Sequence, residues 1–198
     1  MASRPLRDSD VRQAAYRRLL THAQACPDTL VIDELGLDHG SCRIDIAVIN
    51  GHIRGVEIKA EADTLVRLPR QVAAYGQVVD KALLIVAPKH LESAIEMVPD
   101  WWGVMVAERG ATQGVRFRRV RSERANKGID ALVLARLLWR PEAQDLLRVL
   151  GVPERELRAP REELYQRIVS LLPLRKLANA VRTALKSRTT WRGQQPLS

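Results

Sequence analysis

The chain has 198 residues, 46% of them hydrophobic, with 32 Lys and Arg against 23 Asp and Glu, a net charge of +9 and a pI near 10.2. That length suits one sizeable core or one domain with a small helical appendage. No apolar run approaches the roughly 18 residues of a membrane span. Two cysteines make neither a disulfide framework nor a zinc cluster. The absence of a Gly-rich phosphate loop disfavours kinase and motor chemistry. The basic balance, carried mostly by arginine, favours nucleic acid or another anionic partner, because the planar guanidinium suits phosphate.

The opening MASRPLRDSD has no apolar core of a secretory signal, so a cytoplasmic protein with reduced thiols at Cys26 and Cys42 is expected. Residues 8–25 read as an amphipathic helix with Val11, Ala15 and Leu19 on one face, and Arg12, Arg17 and Arg18 solvated or touching phosphate. Pro27 stops it. Thr29 to Leu35 reads as the first strand, with Asp33 and Glu34 on opposite faces, so that only one of them faces a site. Residues 36–41 form a turn whose Asp38 and His39 are more simply solvated than ligating.

From Arg43 the pattern alternates. Ile44, Ile46 and Val48 point one way, and Arg43, Asp45, Ala47 and Ile49 the other. Asn50-Gly51 predicts a type I′ hairpin, and the return strand HIRGVEIKA sets Gly55, Glu57 and Lys59 on one face. The pair of strands brings Asp45 beside Glu57 and Lys59. Burying unpaired carboxylates is unfavourable by several kcal/mol, so the cluster needs compensation. Either Lys59 forms an ordinary ion pair, or the two carboxylates hold a hard divalent cation with the lysine beside a bound water. The following LPRQVAAYGQVVDK has helical spacing, with Leu68, Val72, Tyr75 and Val79 on one stripe and Pro69 in the first turn. Gln71 and Tyr75 lie four apart on one face. They either serve the site or divide into a solvated amide and a core phenol.

KALLIVAP is the expected buried central strand, followed by a helix over 89–97. Trp101-Trp102 reads as a core cap in preference to a base-stacking platform. Gly103 to Ala107 is another strand, and GVRFRRV an edge strand. Between Arg109 and Lys127 seven cations face one acid, Glu123. This is either a solvated run protecting the edge or a contact with a nucleic-acid backbone. Residues 128–191 read as helical, with a break near Pro141, a turn at Gly151-Val152-Pro153 and two further helices starting near Pro160 and Pro173, together a subdomain packing on the sheet or on a second copy, and 192–198 as a disordered tail.

Asp45, Glu57-Ile58-Lys59 and Gln71-Val72-Ala73-Ala74-Tyr75 resemble the PD-(D/E)XK nuclease superfamily, in particular its RecB-like and MmcB-like branches, over about Leu30 to Ala87. The resemblance implies an α/β fold: a restriction-endonuclease-like mixed β-sheet core flanked by helices over residues 1–127, with the C-terminal helical subdomain over 128–191. It implies a Mg²⁺-dependent (or Mn²⁺-dependent) nuclease acting on nucleic acid, DNA foremost, in repair, recombination or defence. Asp45 and Glu57 would bind the metal, Lys59 would orient the attacking water, and Gln71 and Tyr75 would support the site. The superfamily often carries an acid on its first helix; residues 7–24 contain no glutamate, and Glu34 is the stand-in as third metal ligand. Arg43, Arg67, Arg70, Arg116, Arg118, Arg119 and Arg121 are the expected nucleic-acid contacts. The alternative on the same scaffold is a catalytically silent DNA-binding or adaptor module, with a homodimer through the C-terminal helices.

Overall fold

The computed structural model describes residues 4–37, 40–110 and 114–189, so the expectations for Asp38, His39 and the tail 192–198 lie outside the described residues. Six strands form one mixed sheet in chain order. They are β1 (Leu30–Leu37), β2 (Cys42–Ile49), β3 (Ile53–Lys59), β4 (Lys81–Val86), β5 (Gly103–Arg109) and β6 (Val115–Arg121). β1–β2–β3 is an antiparallel meander, β3–β4–β5 run parallel, and β6 returns antiparallel as an edge. The expected mixed α/β sheet flanked by helices is therefore present. Ala82 to Val86 are all buried, as a parallel strand covered on both faces requires.

Two helices join the parallel strands: α3 (Leu68–Gly76) and α4 (Leu91–Met97). Their buried residues share one core with Trp102 and with α5 (Ala131–Ala135), α6 (Arg140–Val149), α7 (Arg161–Leu171) and α8 (Leu174–Ser187). The opposite face of the sheet is covered by α1 (Asp8–Arg18), with Val11 and Ala15 against Ile46, Val56, Ile58 and Ile85. The first helix breaks at Leu19, and α2 (Thr21–Ala25) follows. Among the described residues no helix is long and apolar enough to cross a membrane.

One local expectation changes. Gly51 does not take a positive φ, and β2 and β3 are joined across Asn50, Gly51 and His52 with Ile49 opposite Ile53, so the two-residue type I′ turn is replaced by a three-residue loop. Its closure comes from Asn50, whose N–H donates to the His52 carbonyl (3.0 Å) and whose Oδ1 accepts from the His52 N–H (3.2 Å). The turn expected at residues 151–153 lies between α6 and α7, followed by a short 3₁₀ turn at Glu156–Arg158, and Pro160 and Pro173 stand immediately before α7 and α8. The break expected near Pro141 separates α5 from α6, and Pro141 itself sits in the first turn of α6, where a missing N–H costs nothing. The apolar stripe of α8, Leu177, Val181 and Leu185, is buried in the chain's own core, so those side chains are not the ones offered to a second copy.

The close packing of α3 on β3 depends on Gly55. A Cβ there would lie 2.8 and 2.9 Å from the Tyr75 ring. Gly55→Ala is expected to destabilise the fold by about 1–3 kcal/mol through overpacking. Urea denaturation checks this, with Gly51→Ala, where a Cβ meets nothing within 4 Å, as the tolerated comparison.

Candidate functional site

The β3 alternation places Glu57 and Lys59 toward α3, and the four-residue helical spacing brings Gln71 and Tyr75 down onto them. Glu57 is fully buried and Lys59 nearly so. The Lys59 ammonium donates to Glu57 Oε1 (2.5 Å) and to Gln71 Oε1 (2.9 Å), and Gln71 Nε2 donates to the same Glu57 oxygen (2.5 Å). Tyr75 donates to Glu57 Oε2 (2.6 Å). Burial, then the Glu57 and Asp45 carboxylates, hold the Tyr75 phenol well above its ordinary pKa, so it remains a donor.

Asp45 stands at a kink. Glu34 and Asp45 drop out of the β1–β2 ladder between the pairs Asp33–Ile46 and Leu35–Ile44. Glu34 takes φ 56°, a left-handed conformation unusual for a residue with a side chain. Ile44 consequently joins Ala47 and Ile49 in one core while Ile46 and Val48 enter the other. The regular alternation expected across β2 therefore reverses at Asp45. The Ile58 N–H donates to Asp45 Oδ2 (2.7 Å), while Arg12 lies 3.8 Å from Oδ1 and donates to the Asp45 carbonyl (2.6 Å).

Arg12 departs from the solvated or phosphate-touching place expected of it. Instead of being solvated, its guanidinium pairs with Asp8 (3.1 Å), Asp33 (3.0 Å) and Glu34 (3.3 Å). Burial works to lower its pKa, but Asp8, Asp45 and Asp33 outweigh that and raise it. Both Asp33 and Glu34 reach Arg12, contrary to the expectation that only one faces the site, because the left-handed step at Glu34 turns the strand. The local signal was Asp8 four residues before Arg12 on one helix face; the two distant carboxylates left none.

Burial, with the Glu57 charge second, pushes the Asp45 carboxyl up from 3.8 to about 7, against the pull of the Ile58 N–H, Arg12 and Lys59. Between those values the folded chain binds a proton that the unfolded chain has released. Stability therefore falls as pH rises from about 4 to about 7 and is flat above, as far as this group is concerned. Asp45→Asn, which keeps an acceptor for Ile58, is expected to remove that component of the slope and to gain on the wild type at pH 8. Thermal melts from pH 4 to 8 measure it, and parallel curves for the two proteins would refute it.

The donors expected to hold Mg²⁺ or Mn²⁺ do not fit the ion in this arrangement. Glu57 accepts three hydrogen bonds, Asp45 Oδ2 accepts a backbone N–H, and Glu34 turns to Arg12 and, at 3.8 Å, to Arg43. Among the described residues no group of three or more His, Cys, Asp or Glu is placed to hold a metal ion.

The arginines divide into free and engaged. Arg67 and Arg70 are exposed around the start of α3, and Arg43 is exposed beside Glu34. On β6, Arg116 is 3.8 Å from Glu108, while Arg118 and Arg119 are exposed. Arg121 is engaged: it donates to the carbonyls of Trp102 (2.8 Å), Pro99 (3.0 Å) and Val98 (3.3 Å) and meets Asp100. It clamps the loop before β5 and so is a structural residue, not a free phosphate contact.

Fold and site define a mixed α/β protein whose buried acids are neutralised by its own lysine and arginine and whose edge strand is cationic. Residues 4–195 match the family described as Bacteriophage P4 protein cII, and the chain belongs to that family. It is similar to protein cII of Enterobacteria phage P4, at 28% identity over 184 residues, covering 92% of this chain and 68% of that protein. No solved structure matches. The family assignment overturns the resemblance to the PD-(D/E)XK superfamily, and with it the reading as a Mg²⁺-dependent nuclease, endonuclease or hydrolase. The physical reason is that an acid–lysine cluster on adjacent strands satisfies two chemistries. Here the lysine bonds the glutamate directly, as an internal ion pair does.

Proposed function

We propose that the protein is a cytoplasmic nucleic-acid-binding module, without catalysis, that grips the phosphate backbone of DNA through the arginines of β6. The observation that carries this reading is that the side chains of Arg118 and Arg119, exposed on the edge strand, form no ion pair or hydrogen bond with any described residue. Residues alternate across a strand, so Arg116 and Arg118 stand on one side of the sheet and Arg119 on the other. The edge thus offers guanidinium groups along both flanks. Such a row also repels a second copy of itself, which protects the edge from strand pairing. Contacts of this kind supply affinity and registration but no sequence information.

The Glu57–Lys59–Gln71–Tyr75 cluster, in this reading, ties α3 to β3 and keeps the sheet rigid behind the binding edge. The test is a mobility-shift assay with two DNA duplexes of unrelated sequence at 50 mM salt. The expected outcome is retardation of both, with affinities within a few-fold of each other. Absence of retardation for either duplex would sink the reading.

A further inference from the structure

Three residues before Glu57 and on the opposite face of the sheet, Arg54 stands beside Lys81 at the start of β4. Across β5, Arg119 is opposite Met105. With Arg121, Ser122 and Glu123 these side chains line a cleft of about 230 Å³, floored by the buried Leu83 and Met105. The volume falls below the roughly 300–1,000 Å³ of pockets for organic ligands, and the lining has four cations against one carboxylate.

The cations are of two kinds. Arg54 grips Glu123 through Nε (2.9 Å to each oxygen) and Nη2 (2.5 Å), and Arg121 is clamped on main-chain carbonyls. Glu123 is itself wedged against Gly103, where an added Cβ would lie 2.5 Å from its Cγ. Two guanidinium groups are thus fixed in place by the fold. The side chains of Lys81 and Arg119 form no ion pair or hydrogen bond with any described residue, leaving two positive charges beside an apolar floor, where electrostatic attraction is stronger than in open water. The Ser122 hydroxyl adds a neutral donor.

We infer that this cleft is a phosphate-binding site that takes one phosphoryl group. The inference deepens the proposed function and rests on it for the source of that group, a phosphate of the bound nucleic-acid strand. Free inorganic phosphate shares the chemistry and is the other source.

The test measures melting temperature in sodium phosphate against sodium chloride of matched ionic strength. It compares the full-length wild type, Lys81→Gln/Arg119→Gln, and the charge-matched control Lys89→Gln/Lys176→Gln. Phosphate is expected to raise the melting temperature saturably in wild type and control, and not in Lys81→Gln/Arg119→Gln. The single variants Lys81→Gln and Arg119→Gln should each lose part of the shift, which guards against a folding defect in the double variant. A shift equal in all proteins, or present in none, overturns the site. A parallel titration with a labelled duplex identifies the source: at least a tenfold loss of affinity for Lys81→Gln/Arg119→Gln over the control assigns the phosphoryl group to nucleic acid. Equal affinities with a phosphate shift confined to the cleft overturn that assignment in favour of the free ion. No duplex binding by any protein, with the shift intact, refutes the nucleic-acid reading and leaves the phosphate site standing.

Discussion

Lys59→Met is expected to lower the unfolding free energy by about 3–5 kcal/mol, the usual consequence of removing one partner from a buried ion pair. Glu57 is fully enclosed, and its Oε1 receives the lysine ammonium at 2.5 Å. Without that charge the carboxylate keeps only Gln71 and Tyr75 as donors. The loss comes from an uncompensated buried anion, so removing the anion as well should recover most of it. Glu57→Gln/Lys59→Met retains an acceptor for Tyr75 and is expected to unfold at a denaturant concentration well above that of Lys59→Met alone. Chemical denaturation at pH 7 of the two variants and the wild type measures this. A Lys59→Met protein as stable as the wild type would mean that the pair is solvated in solution and does not organise the sheet.

Arg116→Gln/Arg118→Gln/Arg119→Gln is expected to weaken duplex binding on the order of a hundredfold at 50 mM salt, since phosphate neutralisation supplies most of a sequence-independent affinity. The change should be the same for duplexes of unrelated sequence, because contacts to phosphate carry no base information. It should leave the fold intact. Arg118 and Arg119 are exposed and unpaired, and Arg116 meets Glu108 only at 3.8 Å. Fluorescence anisotropy with a labelled duplex, alongside a melting curve, separates a binding loss from a folding loss. Arg121 is excluded from the variant because its hydrogen bonds to Val98, Pro99 and Trp102 hold the loop before β5.

The six strands were legible because period-two patterning and apolar runs are local signals, and so was the meeting of Glu57, Lys59, Gln71 and Tyr75, fixed by strand alternation and helical spacing. What failed was long-range or conformational. Arg12 finds Asp33 and Glu34 from more than twenty residues away, and nothing in its own helix specifies them beyond the short-range Asp8 pair. A positive φ at Glu34 is invisible where no glycine announces it. Asn50-Gly51 suggested a tighter turn than the one formed, because the Asn50 side chain and the Ile49–Ile53 pair close a three-residue loop instead. The clamp made by Arg121 depends on how β6 meets the loop at residues 98–102, which no local pattern encodes. The nuclease reading failed for a different reason. Acids and a lysine at these spacings fit a metal site and an internal ion pair equally, and nothing local to them tells the two apart.

The most direct measurement of the central claim, that a cationic edge strand grips nucleic-acid phosphates while the buried acids only hold the sheet together, is the salt dependence of duplex binding by the wild type and Arg116→Gln/Arg118→Gln/Arg119→Gln. The account predicts a steep linear fall of log affinity with log salt for the wild type, and a slope shallower by about 0.9 for each phosphate contact removed in the variant. Identical slopes for the two proteins, or a wild-type affinity indifferent to salt, would contradict it.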